Sequence, residues 1–274
     1  MSPQIDHIVI AVADLDRAAS VYEGLGFTLT PRAQHPWGTA NRLIQFHGGN
    51  FIELLEVDRP ELIFEHDPTA DPPVFAFGAH NRDFLDDGEG MSMLVLATND
   101  SRADVARFAA AGLDTYAPFD FERQATLPDG RTVTVGFSVA FATHPDLPRA
   151  GFFTCHNRYP ENFWKPEFLD HGNGATAVAE AVMVAEDPQR LADFCAGFSG
   201  SAAREIADGI TTSCGGHALT VLSPAAFETR FPGETIGLCH GPRFAAVVIE
   251  GTPAPREITP SGEACGVAIE WRSK

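Results

Sequence analysis

The 274-residue sequence predicts an α+β protein built from repeated βαβββ modules, and three observations carry that prediction. First, "IDHIVIAV" near the start and "NFIELLEV" around position 53 alternate with a period of two, the spacing of half-buried strands. Second, one helix is implied between them. Asp14 is a good N-cap, Leu15, Ala18, Ala19, Tyr22 and Leu25 recur at helical spacing, and Gly24 and Gly26 stop the run. Third, the pattern returns. Strand, Asp cap, helix and glycine recur in "MSMLVLATNDSRADVARFAAAGL" and "AVAEAVMVAEDPQRLADFCAGFSG", so Asp100 follows Asp14 by 86 positions and Asp187 follows Asp100 by 87. Such even spacing marks internal duplication.

Each element follows in order. After the first helix, a turn-rich stretch leads to a strand over 42–46, and Gly48, Gly49 and Asn50 form the hairpin into the strand that carries Glu53. Residues 58–90 break into Pro-, Asp- and Gly-rich connections around "VFAFGAHNRDFL", an ordered insertion or lid. A second and a third module follow, the third with Pro188 at the first helical position. A fourth copy begins at "PRFAAVVIEG" but has no helix after it, and "TPAPREITPSGE" leads straight to the last strand "ACGVAIEW". The domain division expected is 1–172 for the first two modules, including the insertion, and 173–274 for a degenerate, truncated pair.

Bulk composition narrows the function classes. Nineteen basic residues against 37 acidic ones give a formal charge of −18. That field repels phosphate backbones and anionic membrane surfaces, so neither nucleic acid nor membrane is an expected partner. No charged and apolar leader opens the sequence, and no apolar run reaches the roughly 20 residues that span a bilayer. Five scattered cysteines without a CxxC pair fit a reducing compartment, and the expected location is cytoplasmic. Phosphate loops, a Walker lysine motif and a GxSxG elbow are all absent from the sequence.

The chemistry-bearing residues are read from the alternation. His7 shares one strand face with Val9 and Ala11, and Glu53 shares one with Phe51 and Leu55. If the two strands are neighbours, an imidazole and a carboxylate look into one hollow, which is half of a divalent-metal site. The alternative is a hydrogen-bonded pair in a metal-free cup.

The βαβββ repeat, "DHIVIAVADLDRAASVYEGLGF" and "NFIELLEV" resemble the vicinal-oxygen-chelate superfamily of glyoxalase I, extradiol dioxygenases and bleomycin-resistance proteins. "HPWGTANRLIQF", "FDFER" and "GFFTCHNRYPENFW" are similar to its glyoxalase-like branch. The resemblance is strong to about residue 170 and weak beyond. It implies that modules pair so that their sheets form a cup, with a divalent metal (Mn, Fe, Ni or Zn) held at its floor by the first and last strands of each module.

Aligning the modules on their Asp caps matches His7 with Met93 and Glu180, and Glu53 approximately with Thr154. His156, two residues on, is then the expected third metal ligand beside His7 and Glu53, with Cys155 facing away. Glu180 is expected to be a solvent-facing or salt-bridged carboxylate. Glu53 would serve as ligand and catalytic base in turn. Arg42, Arg82 and Arg123 are candidate anion-binding groups, and His35, Trp37 and His80 candidate walls of the opening. The implied function is a small-molecule metalloenzyme, a lyase, isomerase or dioxygenase using the metal as a Lewis acid. The other reading is a non-catalytic small-ligand sequestering protein of the bleomycin-resistance type. The cup closes within one chain or is completed by a second copy in a homodimer.

Overall fold

The computed structural model describes residues 3–126, 130–251 and 258–273. The first module runs β1 (Ile5–Ala11), α1 (Leu15–Gly24), β2 (Ala33–Gln34), β3 (Thr39–Gln45) and β4 (Phe51–Val57). Helix α2 (Phe77–Leu85) lies in the insertion. The second module comprises β5 (Gly90–Ala97), α3 (Ser101–Ala110), β6 (Asp114–Thr115), β7 (Phe119–Thr126), β8 (Thr132–Thr143) and β9 (Gly151–Asn157), and short α4 (Pro160–Phe163) follows it. The third consists of β10 (Ala175–Val184), α5 (Ala192–Ser199), β11 (Arg204–Ile206), β12 (Gly209–Cys214) and β13 (His217–Leu222). After α6 (Pro224–Arg230) come β14 (Arg243–Gly251), β15 (Ile258–Thr259) and β16 (Ala268–Arg272), the shortened fourth copy.

Two mixed sheets result. One has the order β2-β3-β4-β1-β5-β9-β8-β6 with β7 on β8, and the other β11-β12-β13-β10-β14-β16-β15. Within every module the first and last strands pair in parallel, as β1 with β4, β5 with β9, β10 with β13, and β14 with β16. Between modules the first strands meet antiparallel, β1 on β5 and β10 on β14. One pairing rule is therefore used twice, as the repeat in the sequence requires.

The Asp caps act as expected in the first two modules. The Asp14 side chain accepts from the Arg17 amide, and Asp100 from the Arg102 and Ala103 amides. At Asp187 no side-chain cap bond forms, because Pro188 opens a 3-10 turn there before α5 begins. In the insertion, "FGAHNRDFL" forms α2, whose Phe77, Ala79, His80, Asn81 and Phe84 are buried. The helix pins the segment down, so it is not a loose lid.

Alternation sends side chains to two environments. Ile8, Ile10, Leu94 and Leu96 on the first sheet, with Val178 and Val247 on the second, share the main core with Leu15, Phe108 and Phe198 from the helices. Asn50 ties the halves further, donating to the Val178 carbonyl and accepting from its amide. The concave faces hold separate clusters: Val9, Leu55, Met93, Val95, Phe153 and Cys155 in the first sheet, and Val182, Val184, Phe227, Phe231 and Ala246 in the second. All five cysteines are unpaired, and only Cys239 is exposed. Among the described residues no helix is long and apolar enough to cross a membrane.

Candidate functional site

His7 and Glu53 meet. β1 and β4 are hydrogen-bonded neighbours with Val9 opposite Glu53 and His7 opposite Phe51, so both groups leave the concave face. The imidazole Nε2 stands 3.7 Å from a Glu53 carboxylate oxygen, and both side chains are buried. They border a narrow cavity of about 70 Å³, also lined by Trp37, Phe121, Arg123 and Phe153. The half-buried Phe119, Phe121, Phe137 and Phe163 mark its mouth.

Three neighbours hold the pair in place. The Asp6 carboxylate lies 2.5 Å from His7 Nδ1. A carboxylate only accepts, so Nδ1 carries a proton toward Asp6 while Nε2 faces Glu53. Phe51 stacks on the same imidazole, with ring centroids 4.3 Å apart. Asn41 donates from Nδ2 to Glu53 at 2.6 Å, fixing one carboxylate oxygen. Burial raises the Glu53 pKa above the usual carboxylate value, against the pull of His7 and Asn41. On the far side of Asn41, burial lowers His35 to about 3, so it is neutral near pH 7. His35 bonds Thr39 through Nδ1 and stacks on Trp37.

Of the residues singled out from the sequence, Trp37 and Arg123 line the cavity with His7 and Glu53. Four expectations are corrected. Arg42 leaves the opposite face of β3 from Asn41 and Leu43, toward Asp16 and Glu23. Arg82 lies on the surface, paired with Glu65 and Asp83. His80 is buried on α2 against Phe75 and faces a different hollow, beside His66 and Tyr116. On β9 the cavity is lined by Phe153 and Cys155, so Thr154 and His156 point away from it. The cap-based alignment is one residue out of register on β9, and with a side-chain period of two a single step exchanges the faces.

This changes what the site could bind. Where the second module would complete a metal cage, it supplies Met93, Val95, Phe153 and the Cys155 thiol, whose pKa burial pushes well up. Among the described residues no three His, Cys, Asp or Glu side chains converge as ligands. His7 and Glu53 alone fall short of the three protein ligands a catalytic centre needs, so a divalent metal does not fit the residues present.

Sequence reasoning missed Asp6 and Asn41, named His35 only as a wall of the opening, and turned Cys155 away from the cavity that it lines. Asp6 precedes His7 and strict alternation assigns it to the other face, but the β1–β5 register shifts between Ile5 and His7 and brings its carboxylate to the ring. Asn41 was within reach of the alternation rule, since it leads to Leu43, the cross-strand partner of Glu53. His35, a wall residue as expected, is brought beside Asn41 by the hairpin of β2 on β3.

The second concave face shows the same positions with another outcome. Glu180, at the place of His7, is buried under a bidentate ion pair from Arg230 at 2.8 and 3.0 Å, with Arg272 at 3.2 Å. Arg230 also bonds Glu270 at 2.7 Å. Helix α6 seats Phe227 beside these groups and fills the hollow. Glu180 is thus the salt-bridged carboxylate expected of it.

Paired βαβββ modules joined through their first strands, with a side-chain pair at the floor of the cup, define a protein of the vicinal-oxygen-chelate type. Residues 5–197 match the family model described as a glyoxalase-like domain, and the chain belongs to that family. Solved structures agree on the fold. A hypothetical protein from Staphylococcus aureus superposes with TM-score 0.73 at 13% identity, covering 99% of both chains. A mutant 4-hydroxymandelate synthase from Streptomyces coelicolor gives 0.54 at 14% identity, over 92% of this chain and 72% of that one. A xylose isomerase-like TIM barrel/4-hydroxyphenylpyruvate dioxygenase fusion protein gives 0.52 at 13%, over 92% and 37%. No curated protein matches the chain.

Proposed function

We propose that the chain is a small-molecule enzyme in which the Glu53 carboxyl moves a proton on a ligand held in the first cup. The observation that supports this reading most is a buried carboxyl of raised pKa, 3.7 Å from an imidazole, on the wall of a cavity. A general base works best with a pKa near the working pH, and burial shifts Glu53 in that direction. Asn41 holds one carboxylate oxygen, leaving the other free to take a proton from the ligand. His7, with its tautomer set by Asp6, accepts or relays that proton at Nε2. The aromatic walls exclude water and strengthen each of these interactions. Trp37 and Arg123 contact the ligand. The reaction class is proton abstraction beside a carbonyl group, the step a buried carboxyl of raised pKa is suited to.

The test is deuterium exchange. Small carbonyl compounds with an acidic C–H, incubated with the protein in D2O and followed by proton NMR, should exchange at least 100-fold faster with the wild type than with Glu53→Gln. Equal exchange by the two would end the assignment of Glu53. Ligand binding with no exchange across the panel would point to a sequestering protein instead. Elemental analysis of protein purified without chelators or a His-tag should find less than one equivalent of Mn, Fe, Ni or Zn. A full equivalent lost in His7→Ala would restore the metal centre.

A further inference from the structure

We infer that the first cup recognises a monocarboxylate with a flat apolar body, whose charged end is held by Arg123 and the indole N–H of Trp37. The inference rests on the proposed function in taking that cup as the ligand site.

Its basis is an excess of donors. Arg123 lines the cavity from β7, half-buried, and among the described residues its guanidinium is hydrogen-bonded to no group and feels only the charge of Glu53, which lines the same cavity. Most other arginines of the first half are engaged: Arg17 with Glu89, Arg32 with Glu56, Arg82 with Glu65, Arg102 with Asp120, Arg149 with Asp87. In a chain of net charge −18, an arginine inside a hollow with no carboxylate bonded to it is an exception. Trp37 adds a second unmet donor. It is buried on the same cavity, and its Nε1 has no acceptor among the described residues. A buried N–H without a partner costs roughly 1–3 kcal/mol, so a ligand oxygen there recovers binding energy.

The two donors belong to one corner. The Trp37 ring packs edge-on against Phe121, centroid to centroid 4.7 Å, and Phe121 and Arg123 are two apart on β7 and line the cavity together. Two nearby acceptors are already engaged, one Glu53 oxygen by Asn41 and His35 Nδ1 by Thr39, and neither is bonded to Arg123 or Trp37. A carboxylate fits this arrangement, its two oxygens spanning a guanidinium and an indole N–H. A dianion fits poorly, since Glu53 shares the cavity and one cation cannot balance both.

Phenylalanines dominate the remaining wall, which calls for an apolar, planar remainder. At about 70 Å³ the cavity is smaller than the void of about 150 Å³ that admits benzene, so a ring enters by displacing the half-buried phenylalanines at the mouth.

The experiment compares benzoate with benzamide, equal in shape and different in charge, and with phenyl phosphate, by titration calorimetry on the full chain. Benzoate should bind at least 10-fold tighter than either. Arg123→Gln should abolish that preference, Arg123→Lys should retain part of it, and Trp37→Phe should weaken benzoate several-fold; circular dichroism checks that each variant is folded. Equal affinity for benzoate and benzamide, or a preference that survives Arg123→Gln, overturns the carboxylate assignment and leaves the pocket in place. Tighter binding of phenyl phosphate overturns it in favour of a dianion. Binding of none of the three overturns the ligand site itself, and the proposed function with it.

Discussion

The two concave faces of this molecule start from one module plan and end differently. In the second, the carboxylate at the place of His7 is neutralised: Glu180 and Glu270 both pair with Arg230, and α6 packs Phe227 into the hollow. In the first, Glu53 has an imidazole at 3.7 Å and an amide at 2.6 Å but no guanidinium bonded to it, and Arg123 stays unpaired among the described residues. A stabilising network needs matched partners, whereas chemistry needs groups held out of balance. The difference is what the proposed function draws on in taking the first cup, and not the second, as the ligand site.

The largest expected effect comes from breaking the balanced side. Arg230→Ala strands Glu180, buried, without its bidentate partner and should cost about 3–5 kcal/mol in urea unfolding. A loss below about 1 kcal/mol would remove the contrast. Acid should act next, through the histidines. Burial lowers His35 to about 3 and His80 to about 4 in the folded chain, while both titrate near 6.5 unfolded. The unfolded chain therefore binds more protons between those values, so this stability is complete above about pH 6.5 and drains away toward pH 4 and 3. Each ring contributes on the order of a few kcal/mol, and His35→Asn should flatten the urea midpoint against pH between 6.5 and 4.

Balancing the first cup should have a smaller effect, in the opposite sense. Glu53→Gln removes a carboxyl that burial destabilises in its charged form, and should raise stability by about 1 kcal/mol at pH 8 while abolishing exchange. Below the carboxylate range the gain should vanish, because Glu53 is then protonated and neutral in both states. Smallest of all, Arg123→Gln should change the urea midpoint by no more than about 0.5 kcal/mol equivalent, since no bond in the described structure is lost. A drop as large as that of Arg230→Ala would show that Arg123 is a structural residue.

Much of this was legible in the residues. Alternation placed His7 and Glu53 on definite faces, the Asp caps at 14 and 100 fixed the start of two helices, and the 86- and 87-residue spacing announced the modules. The resemblance supplied the cup. What failed had a common cause. Thr154 and His156 were put on the wrong face by an alignment that fixes the helix caps but not the register of a strand more than fifty residues further on. Arg42 and Arg82 carry the right chemistry for anion binding, but strand parity on β3 and the neighbours Glu65 and Asp83 hold them on the outside.

The sequence by itself determined which residues share a face, where helices begin, and that one unit is repeated, because these follow from periods of two and 3.6 and from short-range hydrogen bonds. Only the tertiary structure decided which faces confront each other. It brought Asp6 around a register shift onto His7, and set Phe153 and Cys155 where further ligands would stand. It also filled one hollow with an arginine while leaving another arginine unmatched. Those outcomes depend on contacts between segments far apart in the chain, where burial and charge compensation decide and local periodicity carries no information.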